Sequence, residues 1–170
     1  VPGLTDSHMH LLSLGTTLEE ADLRGVASLR DMTERLRAFR RERDVSPGAW
    51  IVGRGWDQNR MTERRLPDRD DLDEAFPDVP VLLVRLCAHV AVLNSKALES
   101  LPLDELDPGT EANFRRRADG SLSGMVVESG LMWVWRRLPE PTEADLKRRY
   151  LAGARKASAA GRTEVHSDDV

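Results

Sequence analysis

The most apolar stretch of the 170-residue chain runs over residues 80–94, "PVLLVRLCAHVAVLN". A continuous apolar run of this kind is typical of a strand that is covered on both faces of a sheet. We expect the first half of the run to form that buried strand, with His89 just past it. The only cysteine, Cys87, lies in the same run. We expect Cys87 to be buried as a small hydrophobic residue.

The two ends of the chain predict strands that flank helices. Residues 4–11 alternate between two faces, which predicts a short strand, and residues 162–170 predict another. Apolar residues at helical spacing predict helices over residues 28–43 and 141–161. Strands that flank helices in this order can lie parallel in one sheet, as they do in βα-barrels.

The helix predicted over residues 141–161 has clear boundaries. Thr142 and Asp145 form a capping box at its start, and Gly161 is a typical C-terminal stop. We expect this helix to bury one face. That face consists of Leu146, Tyr150, Leu151 and Ala154.

The middle of the chain predicts a set of short elements. These are a strand over residues 49–57, a short helix over 69–76, a helical turn or two over 95–101, a hairpin over 114–128 and a helix over 129–139. The hairpin prediction depends on an Asp-Gly pair between two extended pieces. Within the last helix, we interpret Trp133 and Trp135 as packing residues.

Composition excludes several classes of function. The charged residues are mixed in sign and sum to a formal net charge of −4, which argues against a nucleic-acid-binding protein. No apolar run reaches the roughly 20 residues that a membrane helix needs. A single cysteine excludes an internal disulfide and fits a reducing compartment, so we expect a cytoplasmic protein.

Two of the four histidines, His8 and His10, lie on one face of the first predicted strand. A His-x-His pair on a strand brings both imidazoles within reach of one ion, and imidazole is a good ligand for zinc and similar divalent metals. Asp6 lies on the same face, where a carboxylate can orient a ligand ring. Spacing alone leaves two alternatives open, which are a metal pair and a strand with histidines on its polar face.

Longer motifs carry a resemblance to a known family. The segment "PGLTDSHMHLLSLG" resembles the first barrel strand of the amidohydrolase superfamily. The segment "GRGWDQNRMTERRLPDRDDLDEAFPDVPVLLVRLCAHVAVLNSKALE" resembles the amidohydrolase family 3 branch, which is related to N-substituted formamide deformylases. Two further segments, "DGSLSGMVVE" and "GRTEVHSDDV", match later pieces of that branch in the same order.

The resemblance implies an α/β fold that is part of a metal-dependent hydrolase (β/α)8 barrel, with a mixed α+β insertion after the first strand. Residues 1–45 would then form the first barrel strand and helix. Residues 46–140 would form an insertion subdomain over the active site, and residues 141–170 a barrel helix and the second strand.

The resemblance also implies a site. His8 and His10 match the first ligands of one or two divalent ions, most simply zinc, which activate water against a C–N bond of a small amide or formamide. Trp56, His89 and His166 match positions that contact substrate. Glu128 matches a position near the pocket, is the candidate catalytic residue and could approach the metal.

Structural roles remain open for three of these residues. His89 could be a hydrogen-bonded histidine of the core, Glu128 could cap the helix that follows it, and His166 could be a plain strand residue.

The remaining ligands of the superfamily have no match in these residues, so we expect only about the first third of such an enzyme. Two barrel strands alone would leave unpaired edges, and we expect the chain to associate with copies of itself. Two interpretations of the function of this chain therefore remain. One is a metal-dependent amidohydrolase that is inactive as this partial chain, and the other is a non-catalytic fragment that folds and self-associates.

Overall fold

The structure is a computed structural model that describes residues 3–45 and 48–169. The strands are β1 (Leu4–Met9), β2 (Ala21–Asp22), β3 (Ile51–Trp56), β4 (Val81–Arg85), β5 (Val90–Leu93), β6 (Phe114–Arg116), β7 (Leu122–Val127) and β8 (Arg162–Ser167). The α-helices are α1 (Leu11–Thr17), α2 (Leu29–Glu42), α3 (Arg69–Asp73), α4 (Ser95–Glu99), α5 (Pro108–Glu111), α6 (Glu128–Trp135) and α7 (Glu143–Ala159). None of the helices in these described ranges is long and apolar enough to cross a bilayer.

The elements group into two compact units. One unit consists of the two ends of the chain, described over residues 3–20 and 139–169, and the other of residues 21–138. The family resemblance predicted that α2 belongs with the first strand, within residues 1–45. In the structure, α2 packs into the 21–138 unit. Its apolar face explains this, because Met32 and Leu36 are fully buried against residues of that unit's core.

The 21–138 unit is built on a six-stranded mixed sheet in the order β2-β3-β4-β5-β7-β6. The first three strands are parallel, and β5, β7 and β6 follow in antiparallel pairs. The buried strand predicted from the apolar run is confirmed as β4, in which Val81–Val84 are at most 1% exposed. Successive side chains of β4 enter two different cores, with Leu83 in one and Leu82 and Val84 in the other. Burial on both faces is why this strand shows no polar alternation.

The prediction that Cys87 is buried is wrong, because the side chain is exposed. β4 ends at Arg85, and the chain turns through residues 86–89 before β5 returns antiparallel. Ala88 adopts a left-handed conformation in this turn, with φ of 61°. Apolar residues continue through this turn, so the hydrophobicity of the sequence alone does not show where β4 ends.

Most of the other predicted elements of this unit are confirmed. They are the strand β3, the helices α3, α4 and α6, and the hairpin of β6 and β7. The packing role of Trp133 and Trp135 is also confirmed, since both lie partly buried against the second core. The Trp133 ring meets Phe114 edge-on at 5.8 Å, and the Arg137 guanidinium lies 3.7 Å from the Trp133 ring centroid.

In the unit formed by the chain ends, β1 and β8 pair in parallel, as the order of elements predicted. Asp6 lies beside Val165 and Thr5 beside Glu164 in the register. The Thr5 hydroxyl donates to Glu164 Oε2 at 2.9 Å, which ties the two strands together through side chains as well. Within the described part of the chain, this sheet contains these two strands only.

Helices α1 and α7 of this unit cross at two glycines. A Cβ on Gly15 would lie 1.9 Å from the Arg149 carbonyl oxygen, and a Cβ on Gly153 would lie 2.4 Å from the Leu11 carbonyl oxygen. Each backbone therefore occupies the space in which the other helix would carry a side chain. This close approach requires glycine at both positions.

The predicted capping box of α7 is confirmed, because Thr142 and Asp145 each bind the other's backbone N–H. The predicted inward face is wrong in part, since Tyr150, Leu151 and Ala154 are exposed. The buried residues of α7 are Gly153 and Ala157. The contact with α1 is centred on the small residue Gly153, so the buried face is rotated away from the larger apolar side chains.

We predict that Gly153→Ala destabilises this unit. Alanine gains about 1 kcal/mol of helix propensity over glycine, but its Cβ would meet the Leu11 carbonyl, which is a backbone atom and cannot move aside. Overpacking of this kind costs roughly 1–3 kcal/mol, and we expect the free energy of unfolding to fall. Urea unfolding followed by circular dichroism measures it. Ser158→Ala, on the exposed side of the same helix, is the control, and equal stability of the two variants would contradict the prediction.

Candidate functional site

His8 and His10 lie where β1 ends and α1 begins. His8 is in the strand, and His10 occupies the position just before the first helical residue. Their ring centroids are 5.2 Å apart, with the ring planes at 85°. Both side chains are exposed. The structure therefore brings the two predicted ligands together, with their rings open to solvent.

A hydrogen bond selects the tautomer of His10. Its Nδ1 lies 2.9 Å from the backbone carbonyl oxygen of Asp168. A carbonyl can only accept, so Nδ1 carries the proton in this contact. In the neutral ring the lone pair is then on Nε2, and a histidine held in this way can bind a metal ion through that nitrogen.

Asp6 has a different set of partners from the one that we predicted. Its Oδ2 accepts from Arg162 Nε at 2.7 Å, and its Oδ1 accepts from the His8 backbone N–H at 3.4 Å. The hydrogen bond from Arg162 lowers the pKa of the Asp6 carboxyl, followed by the one from the His8 backbone. Among the hydrogen bonds of the described residues, none joins Asp6 to an imidazole. Asp6 therefore links β1 to β8 and acts on His8 through the backbone.

Two polar residues at the end of β8 and just after it hold the start of α1, and sequence analysis missed them. Ser167 Oγ accepts from the Leu11 N–H at 3.1 Å, and Asp169 Oδ2 accepts from the Leu12 N–H at 2.8 Å. Partial burial raises the pKa of Asp169, but the Leu12 N–H and the Ser167 hydroxyl outweigh it and the pKa is lowered. The only signal available in the sequence was the run of polar residues at 167–169, and the strand predicted over residues 162–170 included these residues.

His166 lies on β8 and is exposed, with Nε2 at 3.5 Å from Glu164 Oε1. Over residues 3–45 and 48–169, no three His, Cys, Asp or Glu side chains are close enough together to hold a metal ion. The donor set that the structure does assemble is the pair His8 and His10. Two exposed imidazoles, one with its Nε2 lone pair freed, fit part of the coordination shell of a divalent ion such as zinc.

A second polar pair lies in the 21–138 unit, where β5 begins and β7 ends. His89 Nδ1 lies 3.0 Å from Glu128 Oε2, and the Glu128 backbone N–H donates to the His89 carbonyl at 2.9 Å. The side chains are 66% and 63% exposed. The hydrogen bond to Glu128 raises the pKa of His89. His89 is therefore not a core histidine, and the Glu128 side chain is engaged with His89.

Glu128 is held in an uncommon backbone conformation. Its φ is 45°, in the left-handed region, at the junction between β7 and α6. This region costs a residue with a Cβ roughly 1–2 kcal/mol. An exposed ion pair contributes little in return. The strain is thus not explained by stability, and strained residues of this kind cluster at functional positions.

A network beside this pair connects the ends of β3 and β4. Arg85 donates from Nη2 to Asp57 Oδ1 at 2.9 Å and from Nε to Gln58 Oε1 at 2.8 Å. Partial burial raises the pKa of the Cys87 thiol, but the His89 backbone N–H and Arg85 outweigh it, and the pKa is lowered. Through these two hydrogen bonds Arg85 links the turn that carries His89 to the end of β3.

Trp56 is a core residue in the structure. Its side chain is 1% exposed, and its Nε1–H donates to the Leu83 carbonyl at 3.0 Å. The interpretation of Trp56 as a substrate contact is therefore replaced by a structural one. Tryptophan is large and apolar with one donor, and here that donor is satisfied inside the sheet.

The sequence matches the model of the amidohydrolase family over residues 1–170. The chain belongs to the amidohydrolase family. It is 28% identical over 170 residues to YtcJ of Bacillus subtilis (strain 168), which is named as an amidohydrolase, covering 99% of this chain and 32% of YtcJ. It is 28% identical over 131 residues to the N-substituted formamide deformylase of Arthrobacter pascens, covering 76% of this chain and 24% of the deformylase.

A plant protein, LONG AFTER FAR-RED 3 of Arabidopsis thaliana, is 32% identical over 133 residues, or 77% of this chain and 22% of its own length. This chain therefore spans about a third or less of the length of these relatives.

Two crystal structures of uncharacterized metal-dependent hydrolases are similar to this chain. The one from Pyrococcus horikoshii OT3 superposes with a TM-score of 0.72 at 31% identity, over 96% of this chain and 30% of that protein. The one from Pyrococcus furiosus gives a TM-score of 0.70 at 34% identity, over 96% of this chain and 31% of that protein. The mixed α/β fold of these residues is thus that of a part of a metal-dependent hydrolase.

We predict that Glu128→Gln and Glu128→Gly both lower the pKa of His89 toward its usual value, because both remove the carboxylate that favours the charged ring. NMR titration of the His89 ring measures this pKa. The raised pKa also means that the pair stabilises the fold at pH below the usual histidine value and that this contribution is lost as pH rises through the folded-state pKa.

The two variants differ in backbone strain, and this makes each the control of the other. Only glycine relieves the left-handed conformation, so we expect Glu128→Gly to have a free energy of unfolding about 1 kcal/mol above that of Glu128→Gln. A glutamine variant as stable as the glycine variant would show that position 128 carries no strain.

Proposed function

We propose that this chain provides the first metal ligands of a metal-dependent amidohydrolase that hydrolyses a C–N bond of a small amide or formamide. The observation that carries the proposal is the pair of imidazoles at the end of β1, with the Nδ1–H of His10 bound to Asp168 and its Nε2 lone pair free. Membership of the amidohydrolase family supports the reaction class, and the deformylase from Arthrobacter pascens supports the formamide as substrate.

The proposed ligands are His8 and His10, and the proposed ion is zinc. A divalent ion at this position would supply Lewis-acid activation of water and of the substrate carbonyl. The chain's own contribution is to present two imidazoles close together at the end of β1. Asp6 supports His8 through the backbone and holds β1 against β8 through Arg162.

The parallel pairing of β1 with β8 supports a finer proposal about the fold, in which these are neighbouring strands of a (β/α)8 barrel. A barrel strand followed by a helix and then by a parallel strand is the repeating unit of that architecture. His10 and His166 lie near the carboxyl ends of β1 and β8. In such barrels this end carries the active site, so we propose His166 as a substrate contact.

The His89–Glu128 pair is the proposed polar contact with substrate in the 21–138 unit. The protonated imidazole can donate to a carbonyl, and the carboxylate can accept from an amide N–H or carry a proton. Their exposure and the unexplained strain at Glu128 support this role. The amide-type substrate is matched by this combination of one donor and one acceptor.

We predict that the 170-residue chain binds Zn²⁺ weakly through His8 and His10. Isothermal titration with Zn²⁺ measures the affinity, and we expect His8→Ala or His10→Ala to lower it roughly tenfold or more. His166→Ala, which removes an exposed histidine outside the pair, is the matched control. Equal affinity of the wild type and the His8→Ala variant would rule out the proposed ligand pair.

Assays of hydrolase activity provide a second test of the same proposal. With only two ligands assembled among the described residues, we expect no turnover of amides and N-substituted formamides with added Zn²⁺ or Mn²⁺. Turnover that disappears in the His8→Ala variant would show that the chain alone is an active enzyme.

The second candidate is a chain that self-associates without chemistry, and specific surface features favour it. In the unit of the chain ends, Leu4 is 65% exposed and Leu151 is 56% exposed, and Tyr150 is exposed beside Leu151. The pair β1–β8 also has two edges that no described strand covers. Exposed strand edges and apolar side chains are the features by which protein chains associate.

We predict that the 170-residue chain is not a monomer and that Leu151→Glu shifts it toward one. Analytical ultracentrifugation measures the mass in solution. Leu86→Glu, which changes an exposed leucine of the other unit, is the matched control and should leave the mass unchanged. A wild-type species of 19.1 kDa would contradict self-association.

A further inference from the structure

We propose that the segment Ser167–Asp169 positions His10. The segment holds the His10 ring in its Nδ1–H tautomer and fixes the start of α1, which directly follows His10. The segment is not a metal ligand in this proposal. Its relevance to metal binding rests on the proposed function, whereas its effect on the tautomer of His10 does not.

The first step of the argument is the contact between the ring and the segment. The Asp168 carbonyl lies 2.9 Å from His10 Nδ1, and the Asp168 backbone N–H in turn donates to the Met9 carbonyl at 3.0 Å. Asp168 thus binds the residue before His10 and the ring of His10 itself. The position of one backbone carbonyl decides which ring nitrogen is protonated.

The second step concerns the start of α1. His10 occupies the position where a capping side chain usually stands, but its side chain makes no capping hydrogen bond. Ser167 and Asp169 accept from the first N–H groups of the helix in its place, at 3.1 Å from Leu11 and 2.8 Å from Leu12. The segment therefore caps the start of α1, so the His10 imidazole is not needed as a helix cap.

The third step is that Asp169 is itself anchored. The Ser167 hydroxyl donates to its Oδ2, and the Tyr150 hydroxyl of α7 donates to the same oxygen at 3.3 Å. The Asp169 carboxylate is thus held by Ser167 at the end of β8, by α1 and by α7. Because Asp168 lies between two anchored residues, its carbonyl cannot turn away from His10 unless one of those anchors is released.

The test uses the metal-free 170-residue chain with Asp169→Ala. We expect nitrogen-15 NMR of the histidine rings to show His10 protonated at Nδ1 in the wild type and shifted toward the Nε2–H form in the variant. Asp169→Asn keeps one acceptor oxygen for Leu12 and should give an intermediate result. Ser167→Ala, which removes a single hydroxyl, serves as a milder variant if Asp169→Ala does not fold.

Asp145→Ala is the matched control, since Asp145 caps the start of α7 with the same chemistry and has its hydrogen bonds to Thr142 and its ion pair to Arg148. We expect this variant to lose stability without changing the His10 tautomer. An unchanged His10 tautomer in both Asp169→Ala and Ser167→Ala would overturn the proposal and leave the segment as a helix cap.

A zinc titration of the same variants separates this inference from the proposed function. We expect Asp169→Ala to weaken Zn²⁺ binding about tenfold, as loss of an orienting partner does at metal sites, with Asp169→Asn again intermediate. A tautomer shift in a chain that binds no zinc at all would uphold the positioning role and overturn the proposed metal site.

Discussion

The parallel pairing of β1 with β8 is the constraint on which the candidate metal site depends. It brings Leu4–Met9 beside Arg162–Ser167, and the hydrogen bond that orients the His10 ring crosses from the end of β1 to Asp168, just after β8. The glycine contact of α1 with α7 sets how closely the two strand–helix pieces approach, because Gly15 and Gly153 leave no space for a Cβ. The geometry of the histidine pair is therefore a property of a packed unit and not of the His-x-His sequence alone.

The 21–138 unit obtains its stability from a different source, and its exposed polar residues contribute little to it. Its sheet separates two apolar cores, in which Trp56, Phe76 and Val81–Val84 of β4 are almost completely buried. Asp57 and Arg85 form a mostly buried ion pair that fixes the turn after β4. By contrast, His89 and Glu128 are exposed, and an exposed pair adds little to stability. The core would hold this unit together without them.

The sequence predicted elements well where the signal was local. For several elements, the pattern that predicts the element lies within the element itself. These are the buried strand β4, the capped helices α2 and α7, and the β6–β7 hairpin. Helix α1 was missed because its capping groups, Ser167 and Asp169, lie more than 150 positions away in the chain. The same reason explains Asp6, whose partner Arg162 is equally distant. Cys87 and Tyr150 were misplaced because hydrophobicity predicts burial only where another element arrives to cover the side chain.

The two histidines of the candidate site show how ligand identity and ligand orientation are encoded separately. Identity is local, since the period of a strand places His8 and His10 on one face whatever surrounds them. Orientation is not, because the Asp168 carbonyl, the Ser167 hydroxyl and the Asp169 carboxylate all come from the far end of the chain. A chain that kept His8 and His10 but lost β8 would still contain the motif, yet His10 would lack both its tautomer-selecting carbonyl and the cap of its helix. In this chain the His-x-His motif supplies the two rings, and the segment after β8 supplies the partners that orient His10.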